Sequence, residues 1–209
     1  MISTQSLKRA AYVTIIYVVI TIPILLLTVF LAFAEVTGSI SGFASRFISA
    51  MTTVIGVVLY VYVLSSLRSL LEERFSFNAV SALIAAIISL NIALAVLMVL
   101  AVPFAAIETP VGIISLLALV ALGIIYIVIG AKLLALNNTL YGMLKPFSYT
   151  FITAGACYAT IIFTPVGILV GMANMIILAI IFFRAIEDVA KLDAGNRDIL
   201  HDGQTESGQ

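Results

Sequence analysis

Tryptophan is absent from this sequence, cysteine and histidine occur once each, and charged residues make up only 10% of the chain. Each shortage closes off a class of protein. A soluble domain carries about 25% charged residues. At 10%, with 63% of 209 residues hydrophobic, a water-soluble fold could neither hide its apolar surface nor stay dispersed. That excludes a soluble enzyme, a nucleic-acid-binding domain and a disordered chain. The lone cysteine, Cys157, permits no internal disulfide. With the lone histidine, His201, it leaves no ligand set for a haem, zinc or iron–sulfur centre, so no cofactor and no metal are expected. Without tryptophan, tyrosine and phenylalanine must supply any aromatic belt at the bilayer surfaces.

What the sequence does have is long apolar runs. A spanning helix needs about 20 mostly apolar residues, and six stretches qualify: 10–34, 47–67, 78–102, 111–136, 148–163 and 166–185. The last two come from one apolar stretch too long for a single span and broken at Thr164-Pro165. They read as a tight hairpin whose first helix is short and can start as early as Met143. The fold class is therefore all-α, a polytopic bundle of six transmembrane helices in one domain over 1–192, followed by a polar tail, 193–209, expected to be disordered.

The bases test this count independently. Lys8, Arg9, Arg68, Arg74, Lys132, Lys145, Arg184, Lys191 and Arg197 fall on one side of a six-helix arrangement, and only Arg46 falls on the other. Cytoplasmic loops collect lysine and arginine, which puts both termini in the cytoplasm and the chain in the cell membrane. The zero formal charge hides an asymmetry, because six of the ten acids lie after the last span, from Glu187 to Glu206. The first stretch is too long for a cleaved signal peptide. Residues 67–77 alternate charge with Leu67, Leu70, Leu71 and Phe75, as a helical extension lying at the inner interface would. Thr109-Pro110-Val111-Gly112-Ile113 recurs as Thr164-Pro165-Val166-Gly167-Ile168. Threonine and proline favour helix starts, so shared start chemistry accounts for the echo, and descent from a two-helix unit is the alternative.

Polar side chains inside a bilayer are costly and informative. No Asp, Glu, Lys or Arg falls near the centre of a span, which counts against a proton pump or an ion-coupled carrier. Glu35, Glu108 and Lys132 sit at span ends, where side chains reach the headgroups. The deepest amides are Asn91 and Asn174, either interhelical glue or a shared polar site. Small residues recur at four-residue spacing: Gly167 and Gly171, with Asn174 continuing that face; Gly155 and Ala159; and Ser81, Ala85, Ser89 and Ala93. Such rows let helix backbones approach closely, within the chain or between copies. Pro23 should kink the first helix. No phosphate-binding glycine loop, zinc-protease motif or Ser/His/Asp set is present, so no catalytic residue and no enzyme activity are expected.

The C-terminal third resembles a largely archaeal family of small multi-pass integral membrane proteins of uncharacterised function. The resemblance rests on Phe151 to Ala156 (FITAGA), Val166 to Gly171 (VGILVG) and Ile180 to Phe183 (IIFF), with a looser fit at Ile55 to Leu59. It implies the same membrane architecture and brings no catalytic residue or substrate. Two function classes follow. The first and preferred is a structural or accessory component that packs with itself or with a larger membrane complex. The second is a small channel or carrier for a neutral or weakly polar solute, lined by Asn91, Asn174 and nearby hydroxyls. The partners in either case are the bilayer and further membrane protein, not nucleic acid. A polar cavity holding both asparagines would favour the second class.

Overall fold

The computed structural model describes the backbone of residues 4–136 and 140–206, and the side chains of these except at 105, 108 and 192–206. Among the described residues there are six α-helices and no strand: α1 (Thr4–Val36), α2 (Gly42–Phe75), α3 (Ser81–Ala101), α4 (Glu108–Leu134), α5 (Leu144–Ala159) and α6 (Thr164–Glu206), with a short 3-10 turn, Ala105–Ile107, before α4. Five of the six are long and apolar enough to cross a membrane. The exception is α5, with 16 residues, about 24 Å of helix against a hydrocarbon core of about 30 Å.

Several boundaries differ from those expected, each for a local reason. α5 occupies 144–159 rather than 148–163. Pro146 falls in its first turn, where a missing N–H costs nothing, so Lys145-Pro146 belongs to the helix and not to the loop before it. The turn after α5 is tight, with Ile161 at a φ of 57°, and α6 starts at Thr164 with Pro165 in its first turn. α2 runs unbroken to Phe75 and absorbs the segment expected to lie at the interface. Leu67, Leu70 and Leu71 are each only 1% exposed while Glu73 and Arg74 are exposed, so the expected helical extension has one face in the core and one outside it. The α6 backbone stays helical to Glu206, through the segment whose polar composition suggested no order.

Each helix packs on its neighbours in sequence, and α6 returns to pack on α1, closing the six into a ring. The tightest seam is α4–α5. A Cβ added to Gly123 would lie 2.6 Å from the Ala159 amide nitrogen, and one on Gly130 would lie 2.7 Å from the Ser148 carbonyl oxygen. One on Gly155 would lie 2.5 Å from the Gly123 carbonyl oxygen. These backbones touch because no side chain stands between them. The two Thr-Pro-Val-Gly-Ile copies both fall at helix starts, yet Gly112 meets nothing within 4 Å while Gly167 presses on Tyr158. Their shared feature is the start of a helix and not a shared environment.

The main core cluster lies in one half of the ring, and only smaller buried contacts such as Leu31, Ala34, Ala50 and Ala101 close the other end. The cluster's largest fully buried members include Leu64, Leu67, Leu70, Leu71, Leu133, Leu140, Phe147 and Phe182, all in the half nearest the N-terminus and the α2–α3 and α4–α5 connections. The same end gathers the bases and ties them down. Arg74 meets Asp188 of α6 at 2.6 Å, Lys132 donates to the Ala79 carbonyl at 3.1 Å, and Arg184 donates to the Tyr141 carbonyl. We call this the basic end.

Gly123→Ala should separate α4 from α5. Overpacking of this kind costs about 1–3 kcal/mol, which lowers Tm by roughly 3–10 °C for a chain of this size. Gly112→Ala, with open space at its Cβ, should leave Tm unchanged or slightly raised. Thermal unfolding in detergent compares the two, and equal shifts would contradict the close seam.

Candidate functional site

Beyond the packed half, the ring is hollow. A cavity of about 490 Å³ lies along its interior, and every one of the six helices contributes to its lining. Its polar side chains are four tyrosines (Tyr17, Tyr60, Tyr126, Tyr158), three threonines (Thr21, Thr28, Thr164) and both deep asparagines, Asn91 and Asn174. No charged residue lines it. Small residues keep it open: Gly56, Ala154 and Gly171 stand where larger side chains would fill it.

The floor, next to the packed half, is an aromatic layer. Tyr17 of α1 lies over Tyr60 of α2, ring centroids 5.7 Å apart. The hydroxyl of Tyr60 is hydrogen-bonded to that of Tyr126 across the ring, and Tyr126 meets Phe151 edge-on at 5.4 Å. Tyr126 also contacts Tyr158 at 5.8 Å. In a hydroxyl pair one proton lies between the two oxygens, and the acceptor's own proton is left for another partner. Burial of tyrosine away from the headgroups requires such a partner, and here each hydroxyl supplies it for the other.

The two asparagines line the same cavity, from α3 and from α6. Asn91 Nδ2 donates to the Ile87 carbonyl at 2.9 Å, which uses one of its donors and leaves the carbonyl oxygen of the amide as an acceptor. Asn174, 3% exposed, bridges to α5 through Thr150, whose Oγ1 lies 2.7 Å from Asn174 Oδ1. The Thr150 hydroxyl also lies 2.9 Å from the Pro146 and Phe147 carbonyls. With a single proton to share, it fits either orientation of the amide. The three threonines turn their hydroxyls onto their own helices, Thr21 to the Tyr17 carbonyl at 2.7 Å, Thr28 to Ile24 at 2.9 Å and Thr164 to Ile161 at 2.6 Å. Their protons are therefore spent locally, and the groups with capacity to spare are the tyrosine hydroxyls and the two amides.

Of the residues singled out from the sequence, Asn91, Asn174 and Gly171 meet at this cavity. Gly167 and Gly171 seat Tyr158: a Cβ at Gly167 would stand 2.8 Å from its ring, and one at Gly171 3.0 Å from its hydroxyl. The α6 glycine pair and Gly155 are thus used inside the chain, between α5 and α6 and between α4 and α5. Ser89 is exposed on α3 and takes no part in the cavity lining. Pro23 lies within α1, which is continuous through it, on the stretch that walls the cavity. The charged boundary residues stay at the ends, Glu35 and Arg46 facing a separate hollow of about 300 Å³ with Ser45, Ser49 and Ser115. Without tryptophan, tyrosine is expected at the bilayer surfaces, yet four of the eight tyrosines line this interior cavity. The signal for this was positional: Tyr17, Tyr60, Tyr126 and Tyr158 fall inside the predicted spans and not at their ends.

The fold and site together define a class: an all-α bundle compatible with a multi-pass membrane protein, enclosing an uncharged, tyrosine- and amide-lined cavity. No protein-family model matches the chain, and neither the curated proteins nor the solved structures contain a match. Its own geometry therefore carries the functional argument.

Thr150→Val should leave the Asn174 amide with an unmet group. A double-mutant cycle with Asn174→Leu should return a coupling of roughly 0.6–1.7 kcal/mol, the range for interhelical hydrogen bonds in membranes. Strictly additive effects on unfolding would show that the two side chains do not interact.

Proposed function

We propose that this protein binds a neutral or weakly polar solute inside its helical ring, as a small carrier or channel in the cell membrane. The observation that carries this is the cavity itself: one space of about 490 Å³, reached by all six helices and containing both asparagines. Its size falls within the roughly 300–1,000 Å³ typical of ligand sites. Its lining is mostly apolar with a few convergent donors and acceptors, the composition that orients a small molecule. A charged ligand finds no counter-charge there, and burying an unpaired charge is prohibitive. An uncharged ligand needs none. The emptiness of the spans in Asp, Glu, Lys and Arg therefore fits neutral-solute binding as well as it fits an accessory role, and the cavity tips the balance toward binding. The nine bases expected on one side support a cytoplasmic location for both termini.

Gly56 offers a direct test. It lines the cavity, and a Cβ there meets nothing within 4 Å, so Gly56→Leu starts from open space and adds its bulk to the cavity wall. In proteoliposomes, uncharged probes such as glycerol, urea or dodecanol should be passed or bound saturably, and Gly56→Leu should lower this by about tenfold or more while Tm holds or rises. Purified protein showing no interaction with any of these probes, together with a stoichiometric membrane partner, would favour the accessory role instead.

A further inference from the structure

One wall of the cavity is unlike the others. From Ile15 to Phe30 no side chain of α1 is buried, a run of about 24 Å of helix. It is the longest such run on any helix of the ring among the described side chains. α1 is anchored at both ends, by Leu7, Ala10, Ala11 and Thr14 below and by Leu31 and Ala34 above. Tyr17 and Val18 still lean on the core, but beyond them the helix walls the cavity with no buried side chain until Leu31, and Pro23 stands in the middle of the stretch. Proline removes the N–H that would bond the Val19 carbonyl four residues back, which weakens a helix against bending. An anchored helix with a loosened middle that holds no fully buried side chain is able to bow outward around Pro23 at little cost to the core.

The cavity's spare hydrogen-bonding capacity is greatest at its floor, because the threonines higher up bond their own helices. Its spare hydrogen-bonding groups are on the floor, at Tyr60, Tyr126, Asn91 and Asn174, beside the packed half. Higher along α1 the lining alternates Thr21 and Thr28, whose hydroxyls bond carbonyls of their own helix, with Ile24, Leu25 and Val29; Leu25 and Val29 are also 37% and 65% exposed, so they stand at its mouth. The outward face of the same stretch, with Ile22, Leu26 and Phe30 exposed, is wholly apolar and suits hydrocarbon, not water.

We propose that the ligand is an uncharged single-chain amphiphile that enters sideways from the bilayer past the Pro23 segment of α1, with its polar group directed to the tyrosine–asparagine floor. This rests on the reading that the cavity binds a neutral molecule, and it adds the class of ligand and the route. The polar floor receives a hydroxyl, amide or carbonyl, and the apolar mouth leaves the chain in contact with lipid tails.

The test uses the full chain in lipid nanodiscs with tritiated dodecanol as probe. Saturable binding should be displaced by unlabelled dodecanol and not by dodecyltrimethylammonium or dodecanoate. Pro23→Ala restores the missing helical hydrogen bond and should slow dodecanol exchange by about tenfold with the same binding capacity. Leu25→Ala/Val29→Ala, at exposed positions, should open the mouth and speed exchange. Exchange rates unchanged in both variants, or equal displacement by the charged analogues, would overturn the proposal. So would glycerol flux in proteoliposomes without dodecanol binding, which places entry on the aqueous side while the cavity still serves a neutral solute. Neither dodecanol binding nor glycerol flux would remove the underlying reading as well.

Discussion

Closure of the six helices into a ring is the constraint from which the other features follow. Helix axes pack about 8–10 Å apart, and in a six-membered ring the centre lies as far from each axis as neighbouring axes lie from one another. That centre is wide enough for a further helix, so it must be filled by side chains or left open. In the basic half, leucines and phenylalanines from every side meet in the middle. In the other half the inward positions include Gly56, Gly171, Ala154 and Thr21, too small to reach across. The cavity is the volume that those small residues leave.

The boundary between the two halves is where polarity concentrates. A tyrosine at mid-membrane needs a hydrogen-bond partner, because hydrocarbon offers none. Tyr60 and Tyr126 come from helices on different sides of the ring and satisfy one another across it. Asn174 is held by Thr150 of α5 and Asn91 by its own helix. The result is a set of neutral dipoles fixed by packing, facing a space that holds no charge. Such a site discriminates by hydrogen-bonding pattern and shape and not by ionic attraction.

Much of the architecture was legible in one dimension. Helix number followed from span length, from the Thr164-Pro165 break and from the one-sided bases. The close approaches at Gly155, Gly167 and Gly171 were visible as four-residue spacings. Legibility failed where an answer depended on which face a helix turns inward. Ser89 and Gly155 belong to the same kind of small-residue row, yet Gly155 abuts Gly123 while Ser89 is exposed. The helical extension over Leu67, Leu70 and Leu71 was legible, but not that its leucine face is fully buried in the core, because α2 extends past the apolar span and the ring continues with it.

Composition and periodicity alone determined that this chain forms apolar helices, how many, and that their interiors carry no charge, since these properties belong to each segment by itself and to its solvent. The tertiary structure decided the rest. That Asn91 and Asn174, on separate helices and 83 positions apart in the chain, face one space depends on the rotation of each helix about its axis. That rotation is set by the glycine seams between α4, α5 and α6 and by the closure of α6 on α1. No local pattern encodes it, because a helix presents every side to some direction and only its neighbours choose which is inside.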